Sequence, residues 1–390
     1  MNNQIEVTYR FPPGVDAGRQ ARVIAVGQTA GSWDARFQHR EAQLRGHLAE
    51  VLSVEPLSDG SHAAKVAFPR ANVSGDIGSL LTMIFGKYSL GGPAKVIRLK
   101  LPDDYGLRPR FGIKGIRGRL GVQGRPLVMA IFKPALGLSA DDHAEILREV
   151  AFAGLDIIKD DEILPDLPLA PTIERVRACR RVIEEVSRET GREPLYAVNL
   201  SGRADQLLAQ ARMLVAEGAN ALLLNVLPYG FSILEALATD PGVQVPIFTH
   251  PALAGAWCAA PDYGFDYSVV LGTLMAHGGA DAVLYPAHYG SLPFAAETEA
   301  DIRDFLRGRG VFPVPSAGIH PGVVPRALAD YGNDVILNAG GGIMDHPDGP
   351  AAGVKAFFEA LDHAVPGQSF RIADIPSGPL HTALARWGVA

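Results

Sequence analysis

The sequence predicts an α/β protein in which a C-terminal (β/α)8 TIM barrel follows an N-terminal α+β domain of ferredoxin-like type. Three observations carry this. Eight short apolar runs alternate with amphipathic stretches over about 240 residues, the repeat count of such a barrel. Nearly every run carries, at or close to its right-hand edge, a lysine, carboxylate, asparagine, histidine, serine or glycine, as expected where a barrel gathers its chemistry at the C-terminal ends of its strands. Ahead of the repeats, alternating segments mix with amphipathic ones and turn signals, the pattern of a separate α+β unit. The chain's 390 residues, 47% hydrophobic and 20% charged, suffice for two cores.

Taken in order, residues 1–110 hold the alternating segments IEVTYRF, ARVIAVG, AAKVAFP and AKVIRLKL, expected as the N-terminal domain. The stretch PRFGIKGIRGRLGVQGRP has many glycines and basic residues and little periodicity, so 111–124 is expected to be a linker. The barrel with its C-terminal tail is expected over 125–390. Its strands are read as PLVMAIFK, LDIIKD, PLYAVNL, ALLLNVL, QVPIFT, DAVLYP, VFPVPS and DVILNA. Helical stretches such as ADDHAEILREVAFAG, ADQLLAQARMLVAEG and TEADIRDFLRGRG close on glycines suited to helix C-caps.

Composition narrows the function. A formal net charge of −6 with scattered basic residues favours neither nucleic acid nor an anionic membrane. No apolar run approaches the roughly 18 residues of a membrane span. The N-terminal MNNQIEVTYRFPPG lacks the basic-then-apolar layout of a signal peptide. Two cysteines, Cys179 in a helical pattern and Cys258 in a loop-like stretch, give no disulfide framework or thiolate metal site and fit a reducing cytoplasm. A small-molecule substrate is the expectation.

The second run, GLDIIKDDEILPD, ends in Lys159, Asp160, Asp161 and Glu162. Strand alternation sends Lys159 and Asp161 to one face and Asp160 to the other, while Glu162 lies just past the strand end. A cationic lysine has no lone pair for a metal. If CO2 adds to the neutral amine, the resulting carbamate and the two carboxylates make three anionic oxygen groups suited to Mg2+. An internal ion pair of Lys159 with Asp161 and Glu162 explains the pattern equally well. Spacing alone leaves both open.

Elsewhere, DVILNAGGGIMDHPDGP places three glycines between a strand and a helix, where bare backbone amides can approach a phosphate. With Ser316 and Gly318 at the preceding strand end, this is where barrels commonly hold phosphate; a simple turn is the plainer reading. Lys133, ending the first strand in AIFKPALGLS, is either a proton-transfer group or a partner for the acidic cluster. His250 is either a substrate contact or a satisfied core histidine. FGKYS at 85–89 is not a phosphate-binding P-loop, because Leu81 stands where that motif needs glycine and Tyr88 follows the lysine.

Together GLDIIKDDE, FKPALGLS, SAGIH, NAGGG and GQTAGSW resemble the large subunit of ribulose-bisphosphate carboxylase across nearly the whole chain. The resemblance implies that Lys159 is a carbamylated ligand and that Asp161 and Glu162 complete a Mg2+ site. It implies Lys133 beside the enolising carbon, Ser316, Gly318, Gly340 and Gly341 around substrate and phosphate, and His250 facing the diol or enediol. It further implies that Ser32 and Trp33 reach in from a neighbouring copy, so that the active unit is a homodimer with its site at the subunit interface.

Departures from the carboxylase pattern redirect the expected function. Ala135 stands where carboxylases carry a second lysine, and Pro251 where they carry an arginine for a second phosphate. The mobile loop with its CO2-stabilising lysine is replaced by YPAHYGS, and that lysine's glutamate partner corresponds to Gly27. One phosphate clamp and the gas-addition groups are gone, while the metal site and the other phosphate site remain. The chain is thus similar to the RuBisCO-like (form IV) proteins, and FGKYSLGG with LYPAHYGS resembles their methionine-salvage branch, in which a lysine of the partner's FGK segment is the base; here that is Lys87.

The expected activity is Mg2+-dependent proton transfer on a phosphorylated ketose, without CO2 fixation. Either Lys87 or Lys133 would abstract the proton. The outcomes left open are a 5-methylthioribulose 1-phosphate isomerase and a 2,3-diketo-5-methylthiopentyl-1-phosphate enolase. Decarboxylation of a phosphorylated 3-oxo sugar acid would pass through the same enolate. A non-catalytic binding or regulatory protein is the alternative from another class, and the retained Lys159, Asp161 and Glu162 argue against it.

Overall fold

The computed structural model describes residues 4–32 and 35–389. Trp33 therefore lies outside the described residues. Chain contacts divide it into two units, which differ from the boundaries expected from sequence. The first runs to Arg108 and also takes in Gly230–Glu235 and Leu253–Gly279; the second comprises Pro109–Tyr229, Ala236–Ala252 and the chain from Ala280 onward.

The first unit is built on a sheet whose antiparallel strands Lys95–Lys100, Gln4–Phe11, His62–Pro69 and Glu50–Pro56 lie side by side in that order. Fourth–first–third–second is the ferredoxin-like order. Gln4–Phe11 buries Ile5, Val7, Tyr9 and Phe11 on one face, as two-residue alternation demands. The helix Ala17–Gly27 buries Ala17, Ala21, Ile24 and Ala25. A two-residue strand, Gly264–Phe265, adds in parallel to Lys95–Val96, and Lys95 Nζ donates to the carbonyls of Cys258 and Ala260, each at 2.8 Å. This pairing draws part of the presumed barrel span into the first unit. Cys258 closes a short helix, Ala254–Cys258, rather than lying in a loop; it and Cys179 are buried free thiols.

In the second unit eight parallel strands form a near-closed barrel: Leu127–Ile131, Ile157–Lys159, Leu195–Leu200, Ala221–Asn225, Ile247–His250, Ala282–Pro286, Phe312–Ser316 and Ile336–Ala339. Each falls on one of the eight apolar runs. The eighth pairs with the first, Ile336 opposite Leu127. The helix Ala140–Phe152 starts on a capping box between Ser139 and Asp142, and Thr172–Thr190 ends on left-handed Gly191.

The presumed linker is instead a helix, Gly112–Leu120. Its Ile116 and Leu120 pack into the barrel core with Leu127, Met129, Phe312 and Ile336. The Asp281 carboxylate accepts the amides of Phe111 and Gly112 at 2.6 and 2.8 Å, satisfying donors at the helix start. Gly112 has φ +52°, and a Cβ there would lie 2.2 Å from the Gly310 carbonyl oxygen. Glycines that permit this close approach are also what erased the helical signal. Among the described residues no helix is long and apolar enough to cross a membrane.

Candidate active site

The second barrel strand stops at Lys159, and the chain turns sharply through Asp161 and Glu162. Asn199 on the third strand pins this turn by donating to the carbonyls of Glu162 and Leu164 at 3.2 and 2.9 Å. Asn225 on the fourth strand donates to the Glu162 carbonyl at 3.0 Å. The acidic cluster is therefore held by neighbouring strands. Both asparagines sit at strand ends, and their role as braces depends on strand adjacency, for which the sequence carries no local signal.

Asp160 points away from the cluster, as alternation requires. It accepts from Tyr196 Oη at 2.7 Å, from the Asn199 amide at 2.9 Å and from Arg175 Nη2 at 3.1 Å. Arg175 is fully buried. Burial disfavours its charge, but Asp160 and Tyr196 outweigh this and hold the guanidinium's pKa above its ordinary value. The ion pair is a structural support that the sequence reading did not identify.

On the opposite face Lys133 and Asp161 form an ion pair, Nζ to Oδ2 2.7 Å. Burial would raise the Asp161 pKa; the hydrogen bonds from Lys133 and the Ile163 amide, with the charges of Lys133 and Lys159, leave it below the ordinary carboxylate value. Lys159 is buried, with Nζ 3.0 Å from its Asp160 carbonyl acceptor and 3.8 Å from Glu162 Oε2. Desolvation lowers its pKa against the pull of Glu162, Asp161 and Asp160. Its charged form is therefore less favoured than that of an exposed lysine.

His250 ends the fifth strand. The Ala252 amide donates to its Nδ1 at 3.2 Å, which leaves the proton on Nε2, 3.4 Å from Glu162 Oε2. Burial first, then the Lys159 charge, pushes the imidazole pKa down to about 3. Neutral His250 is thus a hydrogen-bond donor facing the acidic cluster.

Around the seventh and eighth strands, Asn338 Nδ2 donates to Ser316 Oγ at 3.0 Å, while the buried Asn338 Oδ1 has no partner. A Cβ on Gly340 would lie 3.3 Å from Ile131 Cδ1, so the glycine gives room to a side chain of the first strand. Gly318 has φ +82°, and Gly341 opens the short helix Gly341–Met344. The structure accordingly brings Lys133, Lys159, Asp161, Glu162 and His250 to the ends of the first, second and fifth strands, with Ser316, Gly318, Gly340 and Gly341 at the seventh and eighth. Ser32 and Lys87 belong to the first unit, where both are exposed.

Asp161 and Glu162 offer hard oxygen ligands, whereas an unmodified Lys159 offers none. Among the described residues no group of three His, Cys, Asp or Glu side chains is assembled for a metal ion. A third anionic oxygen donor in this cluster would come from Lys159.

The family model described as ribulose bisphosphate carboxylase large chain, catalytic domain, matches residues 112–293 and 295–387. A 2,3-diketo-5-methylthiopentyl-1-phosphate enolase of Microcystis aeruginosa is 65% identical over 384 residues, spanning 98% of this chain and 100% of its own. An enolase of the same name from Bacillus licheniformis is 41% identical over 387 residues, 96% of either chain. A RuBisCO-like protein from Alicyclobacillus acidocaldarius superposes with a TM-score of 0.90 at 40% identity, covering 100% of both chains. An octameric carboxylase/oxygenase from Pyrococcus horikoshii superposes with a TM-score of 0.91 at 29% identity, covering 99% of this chain and 94% of that one.

Proposed function

The chain belongs to the ribulose bisphosphate carboxylase large-chain family, and from that premise we propose that it is an enolase acting on 2,3-diketo-5-methylthiopentyl 1-phosphate. The observation that carries this reading is the lysine–carboxylate cluster at the barrel mouth, in a chain 65% identical to an enolase of that name over its full length. The chemistry is removal of a proton from C1, beside the C2 carbonyl, followed by protonation on oxygen.

The residues fit a hard cation once Lys159 carries CO2. The lowered proton affinity of its buried amine favours carbamate formation, and the carbamate, Asp161 and Glu162 would then hold Mg2+. Bound there, the ion would supply Lewis-acid stabilisation of the enolate's charge, a contribution of several kcal/mol. His250, neutral and with Nε2–H turned to this cluster, donates to a substrate oxygen. Ser316 and the backbone at Gly318, Gly340 and Gly341 receive the phosphate.

Lys133 Nζ lies 2.7 Å from Asp161 and so places a positive charge beside the cluster. The base in this reading is Lys87 from a neighbouring copy, the role that the resemblance of its FGK segment implies. Incubation with substrate, Mg2+ and bicarbonate in D2O, followed by NMR, tests the assignment. The expected result is exchange at C1 and an enol product, both abolished in Lys159→Ala. Return of the proton to another carbon would instead identify an isomerase, and activity retained by Lys159→Ala would remove the carbamate from the reaction.

A further inference from the structure

The segment carrying Lys87 has an unusual backbone. The helix Ile77–Leu81 widens into a π-helical turn, Thr82–Gly86, and Tyr88–Leu90 then tightens into a 3-10 turn. Such widened turns break the regular hydrogen-bond ladder and leave carbonyls in need of other donors. Here side chains supply them. Gln28 Nε2 donates to the carbonyls of Thr82 at 3.3 Å and Met83 at 2.8 Å. Tyr9 Oη donates to Ile84 O at 2.6 Å, and Ser89 Oγ to Gly86 O at 2.7 Å. On the far side of Lys87, Tyr88 Oη donates to Gln20 Oε1 at 2.8 Å.

Gln20 lies in the helix Ala17–Gly27, and Gln28 is that helix's C-cap. One helix thus grips the segment on both sides of Lys87. A cavity of about 470 Å3, lined by residues including Thr82, Phe85, Gly86, Trp257 and Tyr263, borders the same segment, whose Ile84, Phe85 and Tyr88 are buried, so these hydrogen bonds act together with packing to restrain it. Gln28 also stands four residues before Ser32, in the same GQTAGSW stretch.

We infer that Gln28, seconded by Tyr9, is a positioning residue that fixes the widened turn and thereby aims Lys87 at the substrate's C1 proton. The inference rests on the proposal that Lys87 is the base. Its physical ground is that a flexible lysine reacts at a rate set by how often its amine occupies the attacking position, and a shift of about 1 Å can cost a hundredfold in rate.

The test compares full-length Gln28→Glu, Tyr9→Phe, Lys87→Ala and Gln28→Glu/Lys87→Ala with the unaltered enzyme, by steady-state turnover of 2,3-diketo-5-methylthiopentyl 1-phosphate and deuterium exchange at C1. Gln28→Glu keeps the side chain's shape and removes its N–H donors. Positioning predicts that kcat falls roughly tenfold to a hundredfold while KM stays within about twofold, and that Tyr9→Phe does the same more mildly. It also predicts that Gln28→Glu lowers the residual rate of Lys87→Ala no further, because both changes act through one group. Exchange at the full rate in Lys87→Ala would remove the base assignment and this inference with it. An inactive Lys87→Ala beside Gln28→Glu and Tyr9→Phe variants of unchanged kcat would overturn the inference alone. So would kcat and KM changing together with a lowered Tm, or an additive loss in the double variant. Should Gln28→Glu not fold, Tyr9→Phe, which loses one oxygen, decides by the same kcat and KM criterion.

Discussion

At the residue scale, the mouth of the barrel separates a neutral imidazole from charged neighbours within a few ångströms. His250 holds its pKa near 3 because it is buried beside Lys159, while an unfolded histidine titrates near 6.5. The folded state therefore binds fewer protons than the unfolded state between those values, and stability falls as pH falls through that window. In protein free of Mg2+ and CO2, the 15N shifts of His250 should report a neutral Nε2–H tautomer at pH 5. A His250 signal titrating near pH 6.5 would contradict this placement. Replacing His250 by Gln should flatten the acid limb of a stability–pH curve measured by urea denaturation.

Elements matter here because they hold these side chains from behind. Arg175, on the helix after the second strand, meets Asp160 where both side chains are fully buried. Deleting one member of such a pair strands the other charge, so Arg175→Met should destabilise the protein by about 3–5 kcal/mol. Chemical denaturation measures this, and a loss under 1 kcal/mol would show Asp160 satisfied by Tyr196 and Asn199 alone. The helix Gly112–Leu120 acts in the same supporting way at the barrel core. Ile116→Ala should cost about 2–5 kcal/mol, because the buried side chain leaves a cavity among rigid strand residues. A near-neutral outcome would mean that the helix does not pack there in solution.

For the whole molecule, the proposed base and the proposed metal ligands lie in different units, and the carboxylase-like assembly expected from sequence joins them across two copies. Mixed and reassembled Lys87→Ala and Lys159→Ala chains, each inactive alone, should then recover about one quarter of full activity, since random pairing leaves one intact site in half of the dimers. Size-exclusion chromatography with light scattering should show at least a dimer. No recovery from a mixture proven to contain heterodimers would place both residues in a site made by one chain.

The amino-acid sequence by itself determined the eight-strand barrel, its strand positions and the identity of the mouth residues. Repeating apolar runs and polar strand ends are local signals, and alternation alone sends Asp160 away from Lys159 and Asp161. Tertiary structure decided what no local pattern encodes: that Gly112–Leu120 is a core helix whose start is held by Asp281, that Asn199 and Asn225 brace the acidic turn, and that Arg175 neutralises Asp160. The first two join residues far apart in the chain, and the third joins a helix to the strand before it, through hydrogen bonds or burial that exist only once the elements have packed. The same holds for Lys133, which spacing left as either a base or an ion-pair partner; folding set its ammonium against Asp161, because the first and second strands are neighbours in the barrel.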